Sequence, residues 1–290
     1  MTLSELVPLY LAAAQSYLEP STLACYSSLA RTYLAFCADE RDIREWNAPE
    51  AQALMECIAR SRPLSRSTLS HIRAFFSGVF AHAIRSGHAD RNPMEYVRLP
   101  RGAESRETHA YTEAEVREML RALTGIEPAY SAVLIAAYTG LRASELRGLQ
   151  WQDYDGANLH VRRKVWRGHT GTPKTRASRG SVPCVAILHE HLVDSRPSRY
   201  TTVPILANSA GRPADLANLY QRTMAPVFRS AQIKWTGWHG FRRGLATRLH
   251  ALGVDDLTIQ RILRHASVQI TQKCYIKTLD ESVKEAMGKL

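Results

Sequence analysis

The sequence predicts a mainly α chain with a small antiparallel β-sheet, made of a helical N-terminal domain and a larger C-terminal one. Three observations lead there. Apolar residues recur at helical spacing through residues 1–100, as in Leu23, Tyr26, Leu29, Tyr33 and Phe36. The stretch Leu159 to Val165 alternates like a strand, and Ser181 to Val185 looks like its partner. Leu99 to Glu107 is polar, holds Pro100 and Gly102, and has no apolar period, so it reads as a linker. A length of 290 residues suits two domains, since single domains run at about 100–200 residues. The expected division is 1–100, a linker at 101–107, and 108–290.

In chain order, Met1 to Ala14 is apolar but carries Glu5 and lacks a basic start, so it reads as an amphipathic helix and not as a signal peptide. Ser21 and Thr22 are placed to cap a helix running through Phe36. Ala48-Pro49-Glu50 opens another helix. Ser65 or Ser67 caps the next, whose buried face is Leu69, Ile72, Phe75, Phe76, Val79 and Phe80, with Arg66 and Arg73 off that face. Gly87, Asn92-Pro93 and Pro100 end this helical region. Thr112 with Glu115 three residues later forms a capping box that starts the second domain. Helices are expected over 113–123 and 128–138, then the strand pair with a basic hairpin tip between. Further helices follow near 185–193, 214–231, 240–251, 255–264 and 267–275.

Composition narrows the function. Hydrophobic residues make up 45% and charged residues 22%, an ordinary globular balance. Net charge is +11, and all of that excess lies after residue 105. Residues 58–101 carry eight arginines against Asp90 and Glu95. The block from Arg162 to Arg179 includes Arg163, Lys164, Arg167, Lys174 and Arg176 and has no acid. Single-sign blocks of this kind suit a phosphate-bearing polyanion, of which nucleic acid is the commonest. Five scattered cysteines show neither a CxxC pair nor metal spacing, which suits a reducing, cytoplasmic setting. No apolar run approaches the ~20 residues of a membrane span.

Six residues suggest a reaction: Arg142, Lys174, His239, Arg242, His265 and Tyr275. A phenol has an unperturbed pKa near 10, so a tyrosine that attacks a phosphodiester needs a proton acceptor or a strong positive field. Negative charge builds on the non-bridging oxygens, and planar guanidinium forks match them in pairs. The leaving 5′ oxygen needs a proton, which a lysine on a hairpin can supply. Each residue alone has a plainer reading. Tyr275 could be a half-buried helix tyrosine, the histidines surface or capping groups, and Arg142 with Glu145 a helix ion pair. Trp235 and Trp238 read as packing around the histidine–arginine helix in preference to a stacking platform. The order of the set along the chain is what the plainer readings leave unexplained.

That order resembles the tyrosine recombinases, the phage-integrase-like family. Thr139 to Leu146 resembles its TGLRxSEL box, and Pro173-Lys174-Thr175 with Arg179 and Val182-Pro183 its hairpin lysine segment. Trp238 to Thr247 is similar to its HxLRHxxAT box, Ile262 to Ser267 to its LGHxS segment, and Thr271 to Lys277 to its nucleophile segment. Ser67 to Phe76, Asn92-Pro93 and Pro100 resemble the family's core-binding helical domain and its exit. The spacing of ten from His265 to Tyr275 fits the family's pattern.

The resemblance implies that Tyr275 forms a 3′-phosphotyrosyl link and that Arg142 and Arg242 clamp the phosphate. It implies that His239 hydrogen-bonds the phosphate, with the tyrosine proton passing to His239 or to another group, that Lys174 protonates the 5′ oxygen, and that His265 donates to a non-bridging oxygen. Glu145 supports this geometry. Arg66, Arg73, Arg162, Arg163, Arg176, Arg179 and Arg243 are the expected DNA contacts. No metal or other cofactor is implied. A homotetramer on paired sites and strand exchange through a Holliday junction are implied, with a monomer left open for the free protein and no membrane association. Asp280 to Leu290 is expected to dock on a neighbouring protomer. The alternatives are a type IB topoisomerase-like nicking-closing enzyme and a DNA-binding regulator without catalysis. Arg243 and Gly244 stand where the family often has His and Thr, and Arg264 where it has Gly. These departures are expected to alter DNA contacts and turn geometry and to touch no catalytic group.

Overall fold

The computed structural model describes residues 1–37, 41–104, 108–173, 179–198 and 202–272. The chain forms two compact units, Met1–Glu107 and Thr108–Leu290.

The first unit is built from α1 (Leu3–Ala14), α2 (Pro20–Tyr33), α3 (Ala48–Ser61) and α4 (Arg66–Arg85), with short 3-10 turns between α2 and α3 and after α4. Thr2 and Glu5 close a capping box on α1, and Asn47 with Glu50 does the same on α3. The start of α2 differs from expectation. Glu19 is its cap residue and its side chain does not cap the helix, while Pro20 occupies the first helical position. Proline presets the helical φ and lacks an N–H there, so the capping role of Ser21 and Thr22 is not needed. The helix also gives way at Tyr33 to a 3-10 turn, Leu34–Cys37. Ser65 caps α4, and Leu69, Ile72, Phe75, Phe76, Val79 and Phe80 are all fully buried. Burial of each such side chain stabilises by about 1.5–3 kcal/mol, so this one face anchors the unit's core. The packing runs on past Leu99, which lies against that core, to Ala103, whose N–H donates to Leu64 O at 2.8 Å.

The second unit opens with α5 (Glu113–Ala122), capped by the Thr112–Glu115 box, then α6 (Ala129–Thr139) and the single-turn α7 (Ala143–Leu146). The expected strand from Leu159 to Val165 is two strands. β1 (Asn158–Val161) pairs antiparallel with β4 (Gly180–Pro183), with Leu159 opposite Val182. β2 (Lys164–Trp166) pairs instead with β3 (His169–Gly171). The break falls at Arg162-Arg163. The Arg163 guanidinium is pulled onto the buried Asp153 at 2.5 Å and Gly148 O at 3.2 Å, which turns the chain out of the first ladder. After α8 (Ala186–Asp194), a continuous helical run spans α9 (Leu216–Leu219), a π turn and α10 (Ala225–Ser230). α11 (His239–Ala251) and α12 (Asp256–Leu263) follow, and a further helix begins at residue 268.

α6 is buried nearly all round, which makes it the post on which the unit is assembled. α11 packs along it, and α12 packs on α11 through Leu245, Ala246, Ile259 and Leu263. Gly244 is explained by this packing. A Cβ at that position would lie 2.2 Å from the Tyr111 carbonyl oxygen, so α11 can pass the segment before α5 only with a glycine here. Tyr111 ties the same helix start by donating its N–H to Gly240 O at 3.2 Å and accepting the Thr236 N–H at 2.6 Å. Trp235 and Trp238 are half-buried against Phe241 on the main core and one another, as core packing requires.

Candidate active site

Two turns and one helix start bring the site together. The first turn follows α6. Gly140 ends that helix with φ of +60°, and a Cβ there would lie 2.6 Å from Leu263 Cδ2, so both conformation and space demand glycine. The chain then reverses into Arg142, the cap residue of α7. The Glu145 carboxylate closes back on it, accepting the Arg142 N–H at 3.1 Å and its Nη1 at 2.7 Å. The Arg142 side chain remains 33% exposed while Glu145 is 3% exposed.

The helix start is α11. His239 is its first residue and is exposed, and Arg242 points from the next position on the same face into the protein, 5% exposed. Arg242 donates Nη1 to Gly140 O at 2.7 Å, Nη2 to Leu263 O, and Nε to His265 Nε2 at 3.0 Å. The carbonyls left over at two helix ends thus become the socket for one guanidinium.

The second turn ends α12. Arg264 adopts left-handed φ 56°, ψ 46°, and the chain then places His265, 4% exposed, beside Arg242. Because the guanidinium can only donate, Nε2 of His265 is the acceptor, so Nδ1 carries the proton and donates to Thr271 Oγ1 at 2.8 Å. Burial, then Arg242, Arg142 and Arg264, push the His265 pKa down to about 3, so the ring is neutral at pH 7. Both ring nitrogens have protein partners, and donation to a phosphate requires the ring to exchange one of them.

His239 has no hydrogen-bond partner among the described residues. Desolvation, then the positive fields of Arg242, Arg243 and Arg142, lower its pKa below 6.5. It is therefore a neutral imidazole with a free lone pair at the rim of a cationic cluster, the form a proton acceptor needs. Burial by itself would raise the Glu145 carboxyl, but Arg264 and then Arg142 outweigh it and hold it below the ordinary range. The carboxylate is thus ionised at neutral pH.

Arg142, Glu145, His239, Arg242 and His265 form one cluster. Lys174, Arg176 and Tyr275 lie outside the described residues, as does Asp280 to Leu290. Arg66, Arg162 and Arg179 are exposed. Arg73, Arg163 and Arg243 are half-buried and engaged within the protein, on Val97 O at 3.1 Å, Asp153, and His109 O at 2.8 Å respectively. Two cluster members escaped the sequence reading. Thr271 fixes the His265 tautomer. Arg264 pairs with Glu145 at 3.1 Å, both 3% exposed, so this departure reaches the carboxylate that supports Arg142 as well as the turn geometry. The unexpected arginine at a glycine position was the visible signal. Among the described residues, no three His, Cys, Asp or Glu side chains group as a metal site, and no helix is long and apolar enough to cross a membrane.

Residues 110–282 match the Phage integrase family. The tyrosine recombinase XerC of Pelobacter propionicus is 29% identical over 277 residues, covering 91% of this chain and 87% of its own. The tyrosine recombinase XerC-like protein of Caldanaerobacter subterraneus subsp. tengcongensis is 24% identical over 260 residues, 78% of this chain but only 66% of that protein. Among solved structures, the Tn1549 transposon integrase in complex with a circular intermediate DNA superposes with a TM-score of 0.75 over 99% of both chains at 19% identity. A lambda integrase tetramer bound to a Holliday junction gives 0.70 over 94% of this chain and 77% of that one, at 19% identity. At such identities the likeness speaks for the fold, whereas the family match takes in all five motif segments of the second unit. By that match, the chain belongs to the phage integrase family of tyrosine recombinases.

Proposed function

We propose that this chain is a site-specific DNA recombinase that cuts and rejoins strands through a covalent phosphotyrosine. The observation that carries the reading is the convergence of Arg142 and Arg242 on one cluster with the neutral His239 at its rim. The DNA-bound states of the similar integrase structures agree with a double-stranded DNA partner.

In this reading the Tyr275 phenolic oxygen attacks the scissile phosphorus and passes its proton to His239. The bond to the 5′ oxygen breaks, and Lys174 protonates that oxygen as it leaves. Arg142 and Arg242 hold the two non-bridging oxygens. A 3′-phosphotyrosyl ester remains, and it keeps the phosphodiester's bond energy. A 5′ hydroxyl from another strand then attacks the ester and frees Tyr275. Four protomers pairing two sites would exchange one strand pair at a time, and Asp280 to Leu290 would dock on a neighbour. The exposed Arg66, Arg162 and Arg179 serve as backbone contacts, and the work is cytoplasmic.

The test is covalent capture on a library of nicked duplexes, in which the short released fragment bearing the free 5′ hydroxyl diffuses away and leaves the protein trapped on the DNA. The wild-type chain should become attached to a narrow set of sequences. Tyr275→Phe should bind the same duplexes and capture none. Capture that persists in Tyr275→Phe would sink the reading. Attachment and plasmid relaxation without sequence preference would favour the topoisomerase-like alternative.

A further inference from the structure

Arg264 is held at a cost that local structure does not explain. It ends α12 at φ 56°, a conformation that strains any residue with a Cβ and that glycine takes freely. Its aliphatic stem runs past Gly180, where an added Cβ would sit 3.5 Å from Arg264 Cδ. The guanidinium is enclosed, 3% exposed, and so has no route to a phosphate of its own. It donates Nη2 to Glu145 Oε2 at 3.1 Å and Nη1 to Ile262 O at 3.2 Å, while Nε is buried with no partner among the described residues. A turn that needed only to end a helix would use glycine and avoid both the strain and a buried unsatisfied N–H.

What the arginine does supply is charge, delivered to one atom. The two oxygens of Glu145 are divided: Oε1 takes the Arg142 side chain, and Oε2 takes the Arg142 N–H and Arg264. With Arg142 as the sole cation on Glu145, the carboxylate would cancel the charge that Arg142 brings to the cluster. Arg264 takes over that cancellation from the side away from solvent. The buried carboxylate then serves as a hinge for Arg142 and not as its counter-ion.

We infer that Arg264 is a positioning residue, which neutralises Glu145 from behind so that Arg142 meets the scissile phosphate with its full positive charge. This rests on the recombinase reading above.

The experiment uses the full chain and a nicked duplex that the wild-type protein captures, made in two forms. One carries the natural scissile phosphodiester. The other carries a methylphosphonate there, in which methyl replaces one charged oxygen. Arg264→Met keeps the stem and removes the charge. It should bind the duplex as the wild type does, but its single-turnover capture should fall about tenfold, less than the ~10²–10³ lost with a donor that touches the reacting group. The deficit should shrink on the methylphosphonate, where less charge needs balancing, and Arg264→Lys should recover part of it. Equal capture by Arg264→Met and wild type, or an equal deficit on both substrates, would overturn the inference. If Arg264→Met folds poorly, Arg264→Gly, which accepts the left-handed turn without strain, carries the same expectations. A wild-type chain that captures no duplex would overturn the recombinase reading, and the inference with it.

Discussion

Arg142 and Arg242 bring the same side chain to one cluster and are held in opposite ways. Arg242 is 5% exposed and directs Nη1, Nη2 and Nε onto fixed acceptors, two main-chain carbonyls and the neutral His265. Arg142 is one-third exposed and rests on a carboxylate that also holds its own backbone N–H. The first is part of the wall, because its partners are the ends of α6 and α12 and moving it would unpick both. The second is an arm whose counter-charge is shared with Arg264. The difference teaches that sequence motifs of equal weight can encode unequal energetics: one arginine is fixed among main-chain carbonyls, and the other stays partly exposed on a shared carboxylate.

The comparison breaks most visibly at Arg242. Arg242→Met should cost about 3 kcal/mol in urea unfolding, because it leaves Gly140 O, Leu263 O and His265 Nε2 buried without a donor. A loss no greater than that of Arg142→Met would mean the two are held alike. Next comes pH. The His265 pKa is about 3 when folded against an ordinary 6.5, so below pH 6.5 the unfolded chain takes up a proton that the folded chain refuses. Stability is therefore full above that pH and falls by about 2 kcal/mol on acidification to about pH 5, measured as a shift in urea midpoint. His265→Gln should flatten this slope. Glu145, whose carboxyl is held below the ordinary range, gives its stabilisation above that range and loses it only in stronger acid, so its loss begins where that of His265 is already well advanced. The smallest change in folding belongs to Arg142→Met, about 1 kcal/mol or less for a partly exposed pair. Its covalent capture of DNA should nonetheless fall ~10²–10³-fold in single turnover.

How much was legible differs by element. The α4 face and the Thr112–Glu115 cap follow from local periodicity and local hydrogen bonding, and both appear as read. The strand from Leu159 to Val165 was misread because its break depends on Asp153, ten residues before Arg163 in sequence and buried only after folding. The cap of α2 was misread because two good capping hydroxyls outweighed one proline in the reading. At the site, Arg142, Glu145, His239, Arg242 and His265 were all legible from motif order, and they do share one cluster. Arg264 was noticed as a departure and its weight misjudged, since nothing in local sequence says that a helix end near residue 264 faces a turn near 145.

The sequence by itself determined the helical character, the basic second half and which residues to look for at the candidate site, because periodicity, charge and residue type are local properties. The tertiary structure decided which nitrogen of His265 carries the proton, which arginine is wall and which is arm, and that Arg264 stands behind Glu145. Those outcomes depend on burial and on partners more than a hundred positions away, as Arg264 is from Glu145, and desolvation and pairing exist only once the chain has closed on itself.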